Sequence, residues 1–121
     1  MITFDIPVRT ESINVSFGRN ARWHVQTLKN QQKLATEFAT TRTPGWKPPA
    51  LPATVTLTRI APGELDDDNL RPALKTIRDS IAQAIGIDDR DPRVTWAYGQ
   101  QRGKRGVYRV RVSIEPREDA T

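Results

Sequence analysis

The stretch ELDDDNLRPALK, residues 64 to 75, sets three carboxylates side by side at Asp66, Asp67 and Asp68. Like charges that close repel one another, so the run is costly unless a cation or a helix end absorbs the charge. A second acidic group, Asp88, Asp89 and Asp91 in GIDDRDPR, follows about twenty residues later. Asp66 and Asp68, two apart, project their oxygens to one side of an extended or turning segment. Hard oxygen donors of that kind suit Mg²⁺, with Mn²⁺ as a substitute, while phosphate oxygens and water complete the shell. Such a cation activates water and polarises phosphorus.

A plainer reading stands beside it. Acids in the first helical turn complement the helix dipole, and Asp66 or Asp68 makes a good N-cap. That explains one or two aspartates and leaves the third. Asp88, Asp89 and Asp91 likewise suit a solvated turn before Pro92. A calcium-binding EF-hand loop is excluded, since counting from Asp66 puts Leu70, Arg71 and Ile77 where a ligand, a glycine and a glutamate are required.

The rest of the chain is basic. Net charge is +5, yet residues 64 to 91 hold eight acids against four bases, leaving 15 bases against 6 acids elsewhere. A basic surface around an acidic centre fits a metal-dependent nuclease, the acids holding cations and the bases phosphates. Arg102, Lys104 and Arg105 in the turn RGKR are candidate phosphate contacts, and Arg19 and Arg22 weaker ones. Trp46, in a proline-rich loop, is placed to stack on an unpaired base, whereas Trp23 and Trp96 fall in core periodicity. His24 reads as a surface or capping residue rather than a base.

The elements that must position these residues are legible from periodicity. At 121 residues the chain is expected to form one domain, with residues 116–121 a frayed tail. ITFDI (2–6) alternates as a strand, and a helix is expected over 21–40 with Trp23, Leu28, Leu34, Ala35 and Phe38 on its apolar face. TPGWKPPALP connects to a second strand, 53–60. Leu70, Leu74, Ile77, Ile81 and Ile85 then mark a helix over 69–85 that stops at Gly86. RVTWAYGQQ and GVYRVRVSIE read as two strands of a hairpin turning through RGKR. The order β-α-β-α-β-β predicts an α/β fold, a single domain with a mixed sheet and two helices. Absence of cysteine, of any membrane-length apolar run and of an apolar stretch in MITFDIPVRT predicts a cytoplasmic protein without a membrane partner.

D-x-D-N-L at Asp66 to Leu70, the amphipathic helix after it and I-D-D at Ile87 to Asp89 resemble the RusA family of Holliday-junction resolvases. More loosely, so does the N-terminal INVSFGRNARWHV. The resemblance implies a small, Mg²⁺-dependent, homodimeric endodeoxyribonuclease of phage or prophage origin, serving recombination and repair. It would nick four-way DNA junctions in pairs and leave 5′-phosphate and 3′-hydroxyl ends. By that likeness Asp66 and Asp68 match the paired catalytic aspartates and Asp89 the third, with Asp88 beside it. The family's usual lysine position holds Pro72, so Arg71 or Lys75 would supply the cation. The P-P-S-x-N segment of the family appears here only as VRTESIN. A non-catalytic DNA-binding or phage regulatory protein that keeps the fold is the alternative.

One consequence is geometric. A helix over 69–85 is roughly 25 Å long at 1.5 Å per residue, so the two acidic groups of one chain cannot readily share a metal. A homodimer with this helix antiparallel to its mate resolves the conflict. Asp66 and Asp68 of one chain would then meet Asp88 or Asp89 of the other, with the Leu70 to Ile85 stripe, or residues flanking it, at the interface.

Overall fold

The computed structural model describes residues 1–11 and 21–117, leaving aside the side chains of residues 21 and 22. Six elements follow in chain order: β1 (Ile2–Ile6), α1 (Ala21–Arg42), β2 (Ala53–Ala61), α2 (Asp67–Ile85), β3 (Val94–Arg102) and β4 (Arg109–Pro116). The strands form one mixed sheet in the order β1-β4-β2-β3. β4 runs antiparallel to β1 and β2, and β3 is parallel to β2. The expected α/β class and element order are therefore observed.

Alternation along β2 explains its placement at the sheet's centre. Ala53, Val55 and Leu57 are buried on one face, in register with Val112 and Ile114 of β4, while Thr54, Thr56 and Thr58 occupy the other. α2 lays Leu70, Leu74, Ile77, Ile81 and Ile85 into that same core, and Ala35 and Ala39 of α1 pack against it. Both helices thus cover one face of the sheet, and the described residues leave the other face without a helix. α2 ends where Gly86 takes a left-handed φ of 90° and donates its N–H back to Ala82 and Gln83.

Four expectations need correction. β3 and β4 are not a hairpin, because β2 lies between them and bonds to both. The residues after β3 therefore arch over the end of β2, where the Gly103 N–H bonds the Ala61 carbonyl at 2.8 Å. The apolar face of α1 is also misread: Trp23, Leu34 and Phe38 are 70, 65 and 59% exposed. The buried face instead carries Gln32, Thr36 and Thr40, whose threonine hydroxyls are satisfied by carbonyls of their own helix. Third, of the α2 stripe and the residues flanking it, the stripe is spent on its own sheet, which leaves only the flanking residues open to a second chain. Finally, the tail is not frayed at its start, since Pro116 belongs to β4 and Arg117 bonds the Pro92 carbonyl and Thr95. Residues 118–121 lie outside the described residues.

Candidate functional site

β1, β2 and β3 point the same way, so the segments after all three emerge along one edge of the sheet. Glu64 to Asp68 lie on that edge, as do Arg102 to Arg105. The carboxyl end of parallel strands is where α/β sheets commonly bind ligands.

The loop that carries the acids is held by two partners in register, Arg59 of β2 and Gln100 of β3. Arg59 stands on the core face and is 6% exposed. It donates to the Gly63 carbonyl at 2.6 Å and to the Thr10 hydroxyl at 2.9 Å. No carboxylate pairs with it among the described residues, and burial lowers its pKa. Gln100 grips Leu65 at both ends, accepting its N–H at 3.0 Å and donating to its carbonyl at 2.6 Å. Asp66 is the next residue. Sequence reasoning passed over both clamps, although an arginine at a core-facing position of a period-two strand was a visible signal.

Asp66 is the N-cap of α2, yet its side chain makes no capping hydrogen bond. Asp67 and Asp68 occupy the first turn and are exposed. None of the three carboxylates has a hydrogen-bond or ion-pair partner among the described residues. Pro72 has no N–H to offer the Asp68 carbonyl, which adds a main-chain oxygen without its usual helical donor to this group. Asp67, Asp68, Leu70, Arg71, Pro72 and Tyr98 line an open cavity of about 600 Å³.

The second acidic group differs in every member. Asp88 accepts the Arg90 N–H at 2.9 Å, which holds its carboxyl below its usual pKa. Asp91 accepts both the guanidinium and the N–H of Arg93, and its pKa falls to about 2. Asp89 pairs with Arg78 at 2.9 Å, and its main-chain carbonyl accepts the Trp96 indole N–H. These aspartates shape the entry to β3, at the sheet edge opposite Asp66. Nowhere among the described residues do three potential metal ligands gather. The two acidic groups of one chain stand apart, as helix length required.

The cations divide similarly. Arg102, Lys104 and Arg105 are exposed and lack side-chain partners among the described residues. Arg71 lies over the Tyr98 ring at 5.2 Å, beside the acids. Arg78, which sequence reasoning did not single out, donates to the Tyr98 hydroxyl at 2.9 Å, so one tyrosine aligns two guanidiniums along α2. Lys75 is taken up by Asp79 one turn on, at 2.9 Å. Arg19 lies outside the described residues, as does the side chain of Arg22. Trp46 does not stand free as expected: it packs edge-on against Phe4 at 5.8 Å. His24 meets Glu11 at 3.1 Å on the surface.

The chain matches no family model and no curated protein. No helix among the described residues is long and apolar enough to cross a membrane.

Proposed function

We propose that this protein is a divalent-cation-dependent endodeoxyribonuclease acting on four-way DNA junctions as a homodimer. The observation that supports it is the contrast between the two acidic groups. Among the described residues, Asp66, Asp67 and Asp68 are left unengaged at the cost of mutual repulsion, and they share a sheet edge with Arg102, Lys104 and Arg105, whose side chains are likewise unpartnered there. Carboxylates without a structural partner are available to a cation.

The donor set fits Mg²⁺ or Mn²⁺. Asp66 and Asp68 supply hard oxygens. When bound, the cation supplies Lewis acidity toward the phosphodiester. Arg71, held over the Tyr98 ring, offsets charge on the phosphate. Lys75 serves the same purpose only by leaving Asp79. Arg102, Lys104 and Arg105 hold the backbone on either side. A two-fold that sets α2 antiparallel to its mate brings Asp88 or Asp89 of the second chain to complete the cation site. The interface would use the polar flank of α2 bearing Arg71, Lys75 and Arg78, since the apolar stripe is buried.

One observation favours a second reading, a DNA-binding protein without chemistry. Asp89 already has Arg78, Asp88 already has a main-chain donor, and a third ligand must therefore be released from structural duty. Incubating a labelled four-way junction and a linear duplex with the protein, in Mg²⁺ and in Mn²⁺, separates the two. Symmetric nicks confined to the junction support the nuclease; tight junction binding without nicks supports the binding protein.

A further inference from the structure

On the helix-free face of the sheet, beside the arch of residues 103–107, lies a cavity of about 550 Å³. Its lining is unlike that of the acidic site. Gln101, Ile60 and Arg109 stand abreast in register on β3, β2 and β4 and form one wall. Arg102, Gly103, Lys104 and Val107 complete it. Three cationic residues line it, and no carboxylate does among the described residues.

Among the described residues, only Arg109 of the three has a carboxylate beside it. That carboxylate, Asp5, is gripped by the Arg111 guanidinium at 2.9 and 3.3 Å. Arg109 reaches Asp5 only at 3.6 Å, and its Nε is buried with no hydrogen-bond partner. Arg102 and Lys104 lack side-chain partners among the described residues.

The space is several times what one phosphate fills, and Val107, 37% exposed, makes part of its wall apolar, while Ile60 beneath is almost wholly covered. Gly103 rests directly on Ile60, where an added Cβ would lie 3.0 Å from the Ile60 methyl, so the arch sits as low as the chain allows. The one neutral polar side chain present, the Gln101 amide, offers both donor and acceptor.

We infer that this cavity receives an unpaired nucleotide of a DNA strand. Its phosphate would sit among Arg102, Lys104 and Arg109, its base against Val107, and the Gln101 amide on the base edge. The inference rests on the nucleic-acid reading but not on cleavage. It also gives the cations of the 102–105 segment a task beyond general attraction, namely holding one strand where pairing has been lost.

The test uses a five-residue oligothymidylate and an abasic deoxyribose-phosphate strand of equal length, with no divalent cation present. The oligothymidylate should bind at least about fivefold more tightly than the abasic strand, the difference being burial of the base. Amide chemical shifts should move at Gln101, Gly103 and Val107. Val107→Ser and Gln101→Ala should erase the preference, while Lys104→Ala weakens both strands alike. Equal affinity for the two strands, or shift changes confined to residues away from the cavity, would overturn the inference. A protein that shows the preference but never nicks a junction would keep this site and lose the nuclease reading.

Discussion

Arg59 and Gln100 stand side by side on neighbouring parallel strands, and both reach out of the sheet to hold the loop that ends at Asp66. The acidic site is thus fixed from below by a buried arginine and a half-buried glutamine rather than by the aspartates themselves.

Gln100→Leu removes both bonds to Leu65 at once and leaves a half-buried amide pair unmet. A loss of about 1–3 kcal/mol is expected in urea unfolding. Junction cleavage should fall further than stability alone explains, because Asp66 is no longer held in place. Cleavage unchanged at full occupancy would show that the loop needs no clamp.

The two acidic groups should respond oppositely to neutralisation. Asp66→Asn and Asp68→Asn remove like-charge repulsion without breaking any bond, so the unfolding midpoint should stay level or rise. Asp89→Asn weakens the link through Arg78 to Tyr98, and about 1 kcal/mol of stability should be lost. A parallel thermal melt of the three variants checks this. Equal destabilisation by all three would mean that the first group is as structural as the second.

Asp91 sets an acid limit. Its folded pKa of about 2 lies below the ordinary aspartate value of about 3.9. A depressed pKa contributes stability that is complete above about pH 4 and lost as pH falls toward 2. The Asp91 carboxyl signal should therefore titrate near pH 2, and Asp91→Asn should flatten the acid limb of the stability curve between those values. An Asp91 midpoint near 4 would show that Arg93 is not held as described.

Much of the fold was legible because periodicity reports burial. The four-three-four-four spacing from Leu70 to Ile85 gave α2 and its buried face, and the alternation from Ala53 gave β2. What escaped was whatever depends on neighbours distant in sequence. RGKR looks like a hairpin turn locally, yet β2 lies between the strands it joins, and no local signal encodes strand order. α1 was misjudged because it packs through Thr36, Thr40 and two alanines, small side chains whose hydroxyls are satisfied inside the helix, leaving Trp23 and Phe38 outside. The acidic residues were visible as a pattern. Which group is spent on structure became visible only through partners: Arg78, Arg90 and Arg93 engage the second group, and nothing among the described residues engages the first.

The exchange of tryptophan environments is itself checkable. Trp46→Ala should cost about 1–3 kcal/mol through lost packing against Phe4. Trp23→Ala, at an exposed site, should cost almost nothing. Iodide should quench Trp23 fluorescence well before Trp46. The reverse order in either measurement would contradict the packing described for α1.

The most direct measurement is nicking of a labelled four-way junction in Mg²⁺ by the wild type, Asp68→Asn and Asp91→Asn, with junction binding followed in parallel. The wild type and Asp91→Asn should place paired, cation-dependent nicks, while Asp68→Asn binds the junction and leaves it intact. A wild type that binds tightly but cuts in neither Mg²⁺ nor Mn²⁺, or an Asp68→Asn protein that cuts as well as wild type, would show that the free aspartates are not a cleavage site.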